Sequence, residues 1–164
     1  MTWNCFRVWG ILHHTSWAIA RNRQNEVAEA DTTLVQASVL FILKNIKGPM
    51  TPAGISRWLF REPQSVSSLL NHMEREGLLR KVKDLDRKNM VRVELTEKGD
   101  ETYWRSLEKT GVLLDIFSCL SSDELAELER YLLRLRSRAI KKLGLKRSLT
   151  NSLLHPPLDG LTTV

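Results

Sequence analysis

The chain has 164 residues, 42% of them hydrophobic and 27% charged, with a formal net charge of +6. That size and apolar share allow one domain with a real core plus an appended dimerisation element, and exclude wholesale disorder. Two cysteines, Cys5 and Cys119, are too few for a disulfide framework and fit a reducing cytoplasm, while no apolar run reaches the ~20 residues of a membrane span. The basic balance fits a nucleic-acid partner without demanding one.

Residues 3–20 read as a helix with Trp9, His13, Trp17 and Ala20 on one side and Phe6 near them. Three tryptophans in so short a stretch must dock on something, either the body of the domain or a second subunit. The same aromatic side, Trp9, His13 and Trp17, is also a candidate pocket for aromatic ligands. Ala18-Ile19-Ala20 mimics a signal-peptide cleavage site. However, the leader has no Lys or Arg before its apolar part, and Arg7 and the His13-His14 pair interrupt it, so the expected location is cytoplasmic. Cys5 is expected to be a buried thiol packed among aromatics. The polar run ARNRQNE continues the helix or ends it.

Thr33-x-x-Gln36 has capping-box spacing and opens an apolar helix through Val35, Val39, Leu40, Ile42, Leu43 and Ile46, the expected centre of the core. Gly48-Pro49 ends it, and Met50 adds a short strand to a following hairpin. Thr51-Pro52 starts a short helix that turns Ile55, Trp58 and Leu59 inward. Arg61 to Pro63 links it to the next helix, which is helix-turn-helix spacing.

In that next helix Val66, Leu69, Leu70 and Met73 form a buried stripe. The opposite face carries Gln64, Ser68, Asn71 and Arg75, flanked by Ser67 and His72, and meets no acid before Glu74. Such a face can lie against a polyanion and still offer hydrogen bonds. Alone it is equally well a solvated face; a basic hairpin beside it favours DNA. Gly77 stops the helix, and strands at Leu79–Asp84 and Met90–Leu95 flank the charged loop DLDRKN. Arg75, Arg80, Lys81, Lys83 and Arg92 suit phosphate contacts or solvent better than base reading.

Beyond the hairpin, Leu95-Thr96-Glu97-Lys98-Gly99 leads into a long helix through Trp104, Leu107, Leu114 and Phe117. Ser121-x-x-Glu124 caps a last helix with Leu125, Leu128, Leu132, Leu135 and Leu143 on one stripe. From Arg130 to Arg147 there are eight Lys or Arg residues and no acid, a run read first as a solvated face. The tail 148–164 is expected to be poorly ordered.

Nothing suggests catalysis or metal binding. There is no Gly-rich phosphate loop and no G-x-S-x-G. His13 and His14 point about 100° apart on a helix, and His72 and His155 are distant in sequence, so no ligand set has zinc spacing. No cofactor is expected.

In order and spacing, these signals resemble the MarR (multiple antibiotic resistance regulator) family of winged helix-turn-helix regulators. TTLVQASVL is similar to the family's entry into its second helix, QSVSSLLNHMEREGLLRK to its recognition helix, and DLDRKNMVRVELTEKG to its wing. The resemblance covers about residues 30–100. It implies a mainly α fold with a small β-hairpin wing, built as an N-terminal dimerisation helix (1–30), a winged helix-turn-helix DNA-binding domain (31–99), C-terminal dimerisation helices (100–147) and the tail. It implies a homodimer whose first, fifth and sixth helices intertwine and which binds a pseudo-palindromic operator on double-stranded DNA, more often as a repressor. It further implies release by a small ligand or an oxidant; the Trp9–His13–Trp17 side would suit a small aromatic effector, and Cys5 lies where some oxidant-sensing relatives place a reactive cysteine.

Transferred by position, Gln64, Ser65, Ser67 and Ser68 meet bases and phosphates in the major groove, with Asn71 and His72 further along. Arg87 enters the minor groove from the wing tip beside Lys88, with Asp86 orienting it. Ser68 stands where the family often has an arginine, so recognition leans on Gln64 and Asn71, both suited to adenine, and on groove shape read by Arg87. The competing reading is a winged-helix protein–protein association module without operator specificity.

Overall fold

In a computed structural model of the chain, residues 2–46, 48–83 and 90–144 are described; the wing tip and the tail lie outside them. The core closes around α2 (Leu34–Asn45). Its start is fixed reciprocally: the Thr33 hydroxyl accepts from Gln36 N at 3.2 Å, and Gln36 Oε1 accepts from Thr33 N at 2.9 Å. Val39, Leu40 and Ile42 of α2 pack with Ile55 and Trp58 of α3 (Pro52–Leu59) and with Val66, Leu70 and Met73 of α4 (Pro63–Arg75). Leu79 of β1 (Leu79–Lys83), Val93 of β2 (Val91–Leu95) and Tyr103 of α5 (Glu97–Glu108) complete the same core.

The turn between α3 and α4 is held locally. Phe60 caps α3 in the left-handed conformation (φ 52°), a costly place for a bulky residue, at roughly 1–2 kcal/mol. Two bonds bracket it: Arg61 N donates to Ser56 O at 3.1 Å, and Ser56 Oγ donates to Arg61 O at 2.6 Å. At the other end of α4, Gly77 takes φ 75° and lets the chain enter β1 directly. The strands pair antiparallel from Leu79↔Leu95 to Lys83↔Val91, and Met50 adds the expected bridge through Val93 N, which donates to Met50 O at 2.8 Å.

The Leu-Thr-x-x-Gly stretch has a steric reason. Thr96 Oγ1 accepts from Gly99 N at 3.1 Å and donates to Gly77 O at 2.6 Å, so one hydroxyl caps α5 and ties it to the end of α4. Gly99 is pressed so close to the backbone that a Cβ there would lie 1.9 Å from Leu78 O.

Of the two readings of the polar run ARNRQNE, continuation holds: α1 runs from Thr2 to Ala28, and the run forms its last turns. One helix differs from expectation. The single long helix expected after the wing is instead two, α5 and α6 (Gly111–Phe117). The break at Lys109-Thr110 is held from α1. The Arg23 guanidinium donates to the carbonyls of Ser106 and Lys109, while Glu26 accepts from Arg23 at 3.0 Å and from Val112 N at 2.7 Å. α7 (Ser122–Lys142) starts from the Ser121–Glu124 capping box, with Glu124 N donating to Ser121 Oγ at 3.3 Å. Among its described residues only Ile140 is buried. No helix among the described residues is long and apolar enough to cross a membrane.

Replacing Gly99 with Ala should destabilise the protein by about 2 kcal/mol or more, because the methyl meets backbone that cannot rotate away. Urea unfolding checks this; an unchanged midpoint would sink the steric account of the motif.

Candidate nucleic-acid interface

α4 presents the face anticipated from its periodicity. Val66, Leu70 and Met73 are buried and Leu69 is half-buried, which leaves Gln64, Ser65, Ser67, Ser68, Asn71, His72 and Arg75 exposed. Gln64, Ser68, Asn71 and Arg75 form the central row of that arc at helical spacing. β1 stands beside its C-terminal half, with Lys81 against Asn71 and Glu74. Asp86, Arg87 and Lys88, the wing-tip candidates, lie outside the described residues.

Several polar groups here are engaged within the chain, which the sequence did not reveal. Lys81 is half-buried: its backbone N donates to Glu74 Oε1 at 2.9 Å, its Nζ lies 3.1 Å from Glu74 Oε2, and its Nζ also donates to Asn71 Oδ1. Arg80 spans the ribbon to Glu94, its Nε and Nη2 both donating to Oε2 at 3.1 and 2.9 Å. Of the expected phosphate contacts, Lys81 and Arg80 therefore carry internal acid partners, whereas Lys83 and Arg75 are exposed at the rim, with Arg75 Nε near Asn71 O at 3.4 Å. Arg92 lies half-buried in β2 near Glu94, at 3.9 Å.

The C-terminal end of α4 is anchored by Glu76. Gln36 Nε2 donates to Glu76 Oε2 at 2.7 Å, His72 Nδ1 lies 3.2 Å from Glu76 Oε1, and Lys98 Nζ donates to Glu76 O at 2.8 Å. The capping-box spacing identified Gln36 but not its second partner, which lies forty residues along the chain.

Away from this face, Trp9, His13 and Trp17 follow one another as tilted rings along the outside of α1, with centroids 5.5 and 4.2 Å apart, and Trp17 is 65% exposed. They do not line the main apolar groove. That groove, of about 1650 Å³, lies between another face of α1 (Val8, Ile11, Leu12, Ile19) and the Leu stripe of α7 (Leu128, Leu132, Leu135). Cys5, expected to be buried, is exposed in the single chain, because neighbouring Trp3, Phe6 and Trp9 also point away from the body. Among the described residues no three His, Cys, Asp or Glu side chains gather as a metal site.

A short turn joining α3 to an exposed polar helix, followed at once by a two-stranded ribbon, defines a winged helix-turn-helix protein. The sequence profile of the MarR family matches residues 30–88. An organohalide-sensing transcriptional regulator, RdhR-CbdbA1625, solved with 2,4-dichlorophenol bound, is 30% identical with a TM-score of 0.74, covering 87% of this chain and 85% of its own. A cysteine-to-serine mutant of MarR from E. coli complexed with operator DNA shares the fold at 19% identity and TM-score 0.73, over 80% of this chain and 95% of its own. S. aureus MepR, in complex with DNA, does so at 20% identity and TM-score 0.67, over 79% and 94%. No curated protein sequence is a significant match. The chain belongs to the MarR family, a family of DNA-binding transcriptional regulators rather than of enzymes.

Glu74 gives this face a pH signature. Its carboxyl is held below the ordinary carboxylate range, first by the Lys81 backbone N–H and then by the Lys81 ammonium. A depressed carboxyl stabilises the fold above the unfolded-state value and loses that contribution as pH falls through the folded one. Glu74→Gln, which mimics the protonated acid, should therefore lower stability at neutral pH and flatten the acid limb of a stability-versus-pH curve by the same amount, a modest one since the pair is partly solvated. Superimposable acid limbs would refute the assignment.

Proposed function

We propose that the protein is a homodimeric repressor that reads a pseudo-palindromic operator with α4 and is released by a small aromatic effector. The observation that carries the DNA reading is the exposed row Gln64–Ser68–Asn71–Arg75, free of acids and presented by the helix-turn-helix turn beside a ribbon. Two such helices would enter successive major grooves about one turn (~34 Å) apart. Gln64, Ser65, Ser67, Ser68, Asn71 and His72 face the bases. Arg75 and Lys83 reach phosphates together with Lys88, and Arg87, steered by Asp86, enters the minor groove.

The dimer is supported by what one chain leaves wet. Trp3 (84% exposed), Phe6, Val8, Trp9 and Ile11 on α1, and Leu125, Leu132 and Leu135 on α7, are more large apolar side chains than a soluble monomer normally leaves wet. The groove between α1 and α7 has the shape and apolar lining to take helices of a second copy. Residues 1–30 and 100–147 would thus dimerise, while 31–99 bind DNA. Light scattering should return twice the chain mass, and Leu132→Lys should shift it toward a monomer; a monomeric wild type at micromolar concentration would refute the dimer. The aromatic effector is supported by the 2,4-dichlorophenol-bound form of the 30%-identical regulator.

Binding should be steeply salt-dependent. If on the order of six to ten phosphates are contacted by the dimer, affinity falls by about 10³-fold or more between 50 and 200 mM salt. Gel shifts on DNA upstream of the protein's own gene across that range check this, and a flat response would end the electrostatic part of the reading. On the same DNA, Arg87→Ala should weaken binding without changing the melting temperature, and a chlorinated phenol should release the complex.

A further inference from the structure

We propose that Lys81 sets the base preference of Asn71, turning it from an adenine reader into a guanine reader. The inference rests on the DNA-binding reading above. An unconstrained asparagine offers one acceptor and one donor edge, which pair with adenine N6 and N7. In this fold the acceptor edge is occupied: Lys81 Nζ donates to Asn71 Oδ1. An ammonium has donors only, so the amide must turn its oxygen toward the ribbon and its Nδ2 away from it. Lys81 is not a mobile surface cation that a base could displace at little cost. Its backbone N and its Nζ are both held by Glu74, at 2.9 and 3.1 Å, and its side chain is only 22% exposed.

Asn71 therefore meets DNA as a pair of N–H donors. The complementary major-groove edge is the N7 and O6 acceptor pair of guanine, whereas adenine places its own N6 donor against the amide hydrogens. Asn71 lies in the exposed row one turn beyond Ser68, so its orientation bears on the base it meets in each half-site. Lys81 acts here as a positioning residue: it need not touch DNA to change which base is chosen.

The test is selection from a randomised duplex DNA library with the full-length protein, comparing wild type, Asn71→Ala, Lys81→Met and Lys81→Arg. Loss of preference in Asn71→Ala identifies the position that Asn71 reads. At that position wild type should favour guanine over adenine by about tenfold, Lys81→Met should shift the preference to adenine, and Lys81→Arg, which still donates, should keep guanine. Preferences elsewhere in the site should be unaltered, a pattern that mere destabilisation cannot produce. Adenine at the Asn71 position in wild type overturns the proposal, and this readout stands even if Lys81→Met does not fold. Guanine retained in folded Lys81→Met overturns it too, while leaving operator recognition intact. Selection of no sequence by wild type would overturn both.

Discussion

The last turns of α1 close three helix ends that would otherwise leave polar backbone groups without partners. Arg23 donates to the terminal carbonyls of α5, Glu26 balances that guanidinium and accepts from Val112 N in the first turn of α6, and Gln24 Oε1 accepts from Leu34 N at the start of α2, 3.0 Å away. Each helix terminus carries four such orphan groups, and a largely buried Arg–Glu pair is costly on its own because both charges leave water. Placing the cation at a helix C-terminus and the anion at a helix N-terminus lets backbone dipoles offset that cost. This polar knot joins α1 to α2, α5 and α6 outside the main hydrophobic cluster, which contains no residue of α1, α6 or α7.

That division explains what could be read from the sequence. Patterns set within one helix or strand were legible: the stripe Val66–Leu70–Met73, both capping boxes, the alternation around Val93 and the stop at Gly77 all act over a few residues. Features that depend on partners far along the chain were not. The α5–α6 break needs Arg23, more than eighty residues away, and no local signal at Lys109-Thr110 demands it. The exposure of Cys5 follows from where α1 projects, which its own periodicity does not fix, because the helix carries apolar side chains on more than one face.

The candidate site divides in the same way. Its residues were identifiable by type and spacing, but their hydrogen-bond commitments were not. Net charge suggested a positive surface, yet near α4 the cations of Arg80 and Lys81 are matched by Glu94 and Glu74. The exposed face of α4 thus offers oriented hydrogen-bonding groups, with the exposed cations Arg75 and Lys83 at its rim. Such a surface discriminates by geometry, because a displaced donor loses its bond within a few tenths of an ångström while a point charge loses little.

The link from Gln36 to Glu76 has a mechanical side. One side chain joins the first turn of α2 to the residue that caps the C-terminus of α4, so rotation at that end cannot dissipate in a loop. With a rise of 1.5 Å per residue, Gln64 lies about 18 Å from this pivot. A tilt of ~10° would carry it ~3 Å sideways, a full hydrogen-bond length. A small rotation at the Gln36–Glu76 link is thereby amplified at the exposed N-terminal end of α4.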